Sequence, residues 1–209
     1  MVSITACSKS RSDPWRAWIL LFGFLCALTV RAAEIEVTNP ELTAVEDGYA
    51  VSADFNFEFN QRLEEAVAKG VVLYFVVDFE LNKPRWYWLD EKLVSRSQTY
   101  RLSYHALTRQ YRLSTGALHQ SFGSLTEALR MLSRLRHWLV IEKPTDKPDK
   151  LQPKAGETYQ AALRLRLDVN QLPKPFQISA LGSKEWNLSS DWKTWQATLP
   201  ALPPAVEAK

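Results

Sequence analysis

The stretch YAVSADFNFEF, Tyr49 to Phe59, decides the fold. Tyr49, Val51, Ala53, Phe55, Phe57 and Phe59 alternate with Ser52, Asp54, Asn56 and Glu58, and a period of two is that of a strand with one face in a core and one in water. Just upstream, Asp47-Gly48 follows the apolar segment Leu42 to Val45; this dipeptide readily takes the positive φ angles of a tight turn, so the two segments are predicted to form a hairpin. Downstream, Asn60 is placed to N-cap a short helix running to Lys69 and closed by Gly70. Val71 to Phe79 begins apolar on both faces, as a strand covered on both sides does. Trp86 to Leu89, Thr99 to His105, Arg109 to Ser114 and Tyr159 to Asp168 continue the series of strands.

A second helix is expected after Ser124 and Glu127, which have capping-box spacing, with Leu125, Ala128, Leu129, Leu132, Leu135 and Leu139 on one face and Arg130, Arg134 and His137 on the other. After Ile141, KPTDKPDKLQPK contains Pro144, Pro148 and Pro153 without apolar periodicity, which predicts an extended loop over 143–154. The chain past that loop is too short for a core of its own, so Tyr159 to Leu167 must join the same sheet. The expected class is mainly β (α+β): an antiparallel sheet or sandwich with two short helices packed against it. One domain is expected over 33–199, with a disordered tail over 200–209.

The N-terminal stretch has the order of a secretory signal: basic Lys9, Arg11 and Arg16, an apolar run from Ala17 to Val30, then small Ala32 and Ala33. The run is shorter than the roughly 18 to 20 residues that cross a hydrocarbon core, which predicts cleavage after Ala32 and a periplasmic product. The alternative is an inner-membrane protein tethered by an uncleaved signal. Residues 1–32 hold four of the 26 basic residues (Lys9, Arg11, Arg16, Arg31) and one of the 23 acids (Asp13), leaving 22 of each. A neutral domain lacks the excess positive charge that nucleic-acid binders hold against phosphate. Both cysteines, Cys7 and Cys26, also lie in the leader, so residues 33–209 form no disulfide and offer no thiol ligand or nucleophile.

The remaining glycines form neither a phosphate-cradling loop nor a nucleophile elbow, which excludes the common nucleotide-binding and α/β-hydrolase motifs. His105, His119 and His137 have no metal-ligand spacing, and no metal, cofactor or catalytic residue is assigned. Asp78 and Glu80 share one strand face, with Asp90 and Glu91 beyond them, and paired carboxylates are what glycoside hydrolysis uses. Arg85-Trp86-Tyr87-Trp88 sets Trp86 and Trp88 on one face with the arginine on the other; exposed rings of this kind stack on sugars or anchor partners, and buried ones are core. Trp186, Trp192 and Trp195 gather near the C-terminus. Arg101, Arg109 and Arg112 flank a hairpin carrying Tyr104 and Tyr111. Residues of equal parity on paired strands share a face, so Arg101 and Arg109 are expected together as an anion clamp, or paired within the fold to acids such as Glu58 or Asp168.

RWYWLDE (Arg85 to Glu91), YRLSYHALTRQYRLSTGALHQSF (Tyr100 to Phe122), LPKPFQISAL (Leu172 to Leu181) and WNLSSDWKTW (Trp186 to Trp195) together resemble an exported proteobacterial family known as domain of unknown function 4390. The resemblance implies a periplasmic protein of Gram-negative bacteria with no assigned activity, cofactor or catalytic residue. It further implies a gene neighbour that encodes a membrane sensor histidine kinase of the nitrogen-regulation type, and hence an envelope-signalling partner. The expected function is a non-enzymatic binding or interaction module that works through Arg85, Trp86, Trp88, Arg101, Arg109 and Arg112. The alternative is an envelope-glycan binder or glycoside hydrolase with Trp86 or Trp88 as platform and Asp78, Glu80 or Asp90 as acids.

Overall fold

A computed structural model describes residues 35–85, 91–143, 153–180 and 183–202. The elements are β1 (Glu36–Val45), β2 (Gly48–Asn56), α1 (Gln61–Ala68), β3 (Leu73–Lys83), β4 (Glu91–His105), β5 (Gln110–Thr115), β6 (Leu118–Phe122), α2 (Leu125–Leu132), β7 (Arg134–Glu142), β8 (Thr158–Leu167), α3 (Lys174–Ala180) and β9 (Lys193–Thr198). They build two antiparallel sheets, a three-stranded one in the order β1-β2-β7 and a six-stranded one in the order β6-β5-β4-β3-β8-β9. The fold is mainly β with short helices, as the alternation of Tyr49 to Phe59 predicts.

Apolar side chains of both sheets form one core. Val51, Ala53 and Phe55 on β2 meet Phe75, Val77 and Phe79 on β3, Leu102 on β4 and Leu163 and Leu165 on β8. Helix α1 adds Leu63 and Val67, and α2 adds Ala128 and Leu132. Fully burying each large side chain stabilises the fold by about 1.5–3 kcal/mol, so these strands are held chiefly by their inner face. Asn60 caps α1 by accepting from the Leu63 N–H at 3.0 Å, and Ser124 caps α2 by accepting from the Glu127 N–H at 3.2 Å. Both caps stand where the sequence puts them.

Several boundaries differ from the sequence reading. The β1–β2 turn is Glu46-Asp47, with Val45 paired to Gly48, and of the expected Asp47-Gly48 pair Gly48 alone has positive φ, at 143°. Only glycine fits, because a Cβ there would lie 2.0 Å from the Ile141 carbonyl oxygen on β7. Strand β1 starts at Glu36, well before Leu42. A bulge at Asn39-Pro40, with Asn39 at φ 49°, interrupts its alternation and hides the first half.

The second helix ends at Leu132, and Arg134, Leu135, His137 and Leu139 belong to β7, not to a helix. Two bulges explain the error. Register slips of β7 against β2 put Leu135, Trp138 and Ile141 opposite Ala53, Val51 and Tyr49, so burial along β7 does not alternate: Leu135, Val140 and Ile141 are buried, whereas Leu139 of the expected helical stripe is exposed. The Phe55 N–H donates to the Ser133 carbonyl at 2.8 Å, fixing where the helix stops and the strand begins.

A third short helix, α3, and the edge strands β6 and β9 complete the described fold where no element is expected. The strand expected over Trp86 to Leu89 and most of the proline loop lie outside the described residues. The chain stays packed as far as Leu202, which is partly buried against the core, and the Tyr49 hydroxyl donates to the Pro200 carbonyl at 2.9 Å. These contacts lie within 200–209, the range the sequence reads as a tail, of which 203–209 lies outside the described residues. Among the described residues no helix is long and apolar enough to cross a membrane.

Candidate functional site

The six-stranded sheet has one apolar and one polar face. Its register places Tyr74, Val76, Asp78 and Glu80 of β3 beside Arg101, Thr99, Ser97 and Ser95 of β4. On the other side of β3, Val76 and Asp78 pair with Arg166 and Arg164 of β8. Beyond β4, Arg101 pairs with Ser114 and Ser103 with Arg112 of β5, and these two β5 residues pair with His119 and Ser121 of β6. The core uses the residues between these, so parity alone turns the whole polar set outward.

Asp78 is the centre of this face and is 8% exposed. Its Oδ2 accepts from Arg164 Nε at 2.9 Å and Arg166 Nε at 3.0 Å, and its Oδ1 accepts from Ser97 Oγ at 2.7 Å. Burial pushes its pKa up, but the hydrogen bonds from Ser97, Arg166 and Arg164 outweigh burial and hold the carboxyl below its ordinary value. Arg166 also lies 3.9 Å from Asp168, and the Arg164 guanidinium stacks over Trp192 at 4.4 Å. Glu80 is engaged by Lys92 at 2.6 Å.

These contacts bear on the two carboxylates expected for sugar hydrolysis. A general acid for that reaction needs a raised pKa and a proton to give, whereas Asp78 is held ionised by two guanidinium groups. Trp86, Trp88 and Asp90 lie outside the described residues. Of the C-terminal tryptophans, Trp186 is 5% exposed and packs on Phe176, Trp195 packs on Phe79, and Trp192 backs Arg164. All three support the fold.

The arginines expected at the hairpin separate into different environments. Arg85 forms an ion pair with Glu91. Arg109 sits in the exposed β4–β5 turn with φ 53°, not in a cross-strand position beside Arg101, so the expected Arg101–Arg109 clamp does not form. The loop between His105 and Gln110 is longer than a tight turn, which removes Arg109 from the ladder. Arg101 instead shares its face with Arg112, diagonally across β4 and β5 at a Cβ separation of about 7–8 Å. Among the described residues neither forms an ion pair or hydrogen bond, and neither meets Glu58 or Asp168. Arg112 Nε is buried without a partner, and the other such atom, Asn82 Oδ1, lies toward the opposite end of the same face.

Sequence reasoning missed Ser97, Arg164 and Arg166. Their signal was present: in ALRLRL, two arginines alternate with buried leucines, and VVDFE holds an acid inside an apolar strand. Charges in such positions mark a polar face whose groups pair across strands. Among the described residues no cluster of His, Cys, Asp and Glu has the makings of a metal site. An open depression lined by Asn60, Gln61, Arg62, Glu65 and Glu185 is already tied together, since Arg62 pairs with Glu185 at 2.8 Å and Asn60 donates to the Glu185 carbonyl.

Fold and face define a two-sheet β domain whose larger sheet exposes an arginine-bearing polar surface. The family described as domain of unknown function (DUF4390) matches residues 32–196, most of the chain, and the chain belongs to that family. Among curated proteins and solved structures nothing matches it.

Proposed function

We propose that this chain is an exported, periplasmic, non-enzymatic binding module, and that its working surface is the polar face of the six-stranded sheet. One observation carries the reading: Arg101 and Arg112 lie side by side on an open sheet face with no partner among the described residues, while Arg164 and Arg166 on the same face pair with Asp78 and Asp168. Two guanidiniums without a counter-charge on one face repel each other, and an anion supplied from outside would relieve that repulsion. The leader's basic, apolar and small-residue order supports export. The fixed charge on Asp78 favours binding over acid catalysis.

The partner to test first is the membrane sensor histidine kinase expected from the family resemblance. In crosslinking from intact cells, the wild-type chain should form a specific adduct with it, and Arg101→Ala with Arg112→Ala should lose that adduct at an unchanged melting temperature. A stable double variant that crosslinks as well as wild type would refute this surface as the binding site.

A further inference from the structure

We infer that the group held by Arg101 and Arg112 is a phosphate, deepening the binding reading above, on which this inference rests. The quadrant of the face beyond β3 consists of Ser97, Thr99, Arg101, Ser103 and His105 on β4, Gln110, Arg112 and Ser114 on β5, and His119 and Ser121 on β6. It contains no carboxylate. The acids of the face, Asp78 and Glu80 on β3 and Asp168 just past β8, lie outside this quadrant and are already engaged by Arg164, Arg166 and Lys92.

Each arginine faces a serine across the strand pair, Arg101 opposite Ser114 and Arg112 opposite Ser103, with Ser121 opposite Arg112 on the next strand. None of these hydroxyls has a hydrogen-bond partner among the described residues. The result is a checkerboard of two forked cations and three hydroxyl donors within two strand spacings, each about 4.8 Å.

The charge to be matched selects the ligand. A carboxylate can accept from two guanidiniums and a hydroxyl, as Asp78 does on the same sheet, but it brings one negative charge and would leave one of the two cations uncompensated. A phosphate monoester offers three terminal oxygens in a tetrahedral array and about two negative charges at neutral pH, enough for both guanidiniums and the flanking hydroxyls together. The accessible Nη groups of Arg112 would meet such a group first, since its Nε is buried. This chemistry is met equally in free phosphate compounds and in a phosphomonoester lipid headgroup.

The purified full chain should be titrated with inorganic phosphate by calorimetry, and separately sedimented with phosphatidylcholine vesicles with and without phosphatidic acid. Saturable binding of inorganic phosphate assigns the site to soluble phosphate, and binding to phosphatidate vesicles alone assigns it to a lipid headgroup; either supports the inference. Arg112→Gln should weaken the interaction about ten- to hundredfold, as expected for loss of a charge-assisted fork, and Arg112→Lys should restore only part of it. Arg109→Ala, away from the face, should bind as wild type does. Arg101→Ala provides a second variant at an exposed position with no contact to lose.

Absence of saturable binding in both formats would overturn the inference, as would acetate competing as well as phosphate or unchanged binding by Arg112→Gln. If phosphate fails to bind while kinase crosslinking still depends on Arg101 and Arg112, the phosphate assignment falls and the binding reading stands.

Discussion

Replacing Asp78 by Asn keeps the shape of the side chain and removes its charge, which tests whether the triad of Asp78, Arg164 and Arg166 holds the large sheet together. The carboxylate accepts three hydrogen bonds, from Ser97, Arg164 and Arg166, and each charge-assisted bond contributes about 1.5–3 kcal/mol in a dry setting. Two discounts apply. The side chains of Arg164 and Arg166 are 34% and 33% exposed, so water screens part of the attraction, and the asparagine oxygen still accepts one bond. Against them stands the repulsion of two guanidiniums left without their counter-charge.

The net loss should be about 2–4 kcal/mol, or about 5–15 °C in melting temperature for a domain of this size. Urea unfolding followed by tryptophan fluorescence at neutral pH reads it directly. The pH dependence supplies a second arm. The folded pKa of Asp78 lies below its unfolded value, so its contribution is fully present above about pH 4 and is lost as pH falls through the folded value. The difference between wild type and Asp78→Asn should therefore close on acidification. A variant within about 0.5 kcal/mol of wild type at neutral pH, or a gap of constant size down to strong acid, would refute this account of the triad.

Gly48→Ala should cost roughly 2–4 kcal/mol in chemical denaturation because its Cβ would meet the Ile141 oxygen, whereas Gly116→Ala, with positive φ but open space around it, should cost only about 1 kcal/mol. Leu132→Ala, emptying a buried position of α2, should cost about 2–5 kcal/mol, and Arg134→Ala on the exposed side of β7 less than about 0.5 kcal/mol, both read from urea midpoints. N-terminal sequencing of the periplasmic fraction should find a product starting at Ala33; recovery only from membranes with the leader attached would instead mark a tethered protein.

The alternation of Tyr49 to Phe59 determined the class of fold, because a period of two admits one arrangement with a single dry face. The caps at Asn60 and Ser124 were equally legible, since both are satisfied within the next turn. Beta bulges defeated the same reasoning at β1 and β7. An inserted residue changes the period of burial without changing the type of element, and only the strand across the ladder reveals it.

The polar face was legible in part. Asp78, Arg101 and Arg112 stood out as charges, but which cation meets which acid depends on the order β6-β5-β4-β3-β8-β9, and that order brings residues 164 and 166 beside 78 while leaving 101 and 112 together. Charge, period and capping are local properties and are written in the chain. Neighbours across a sheet are set by long-range pairing, in which a shift of one residue exchanges the two faces, so tertiary structure alone decided that one arginine pair is neutralised and the other is left open.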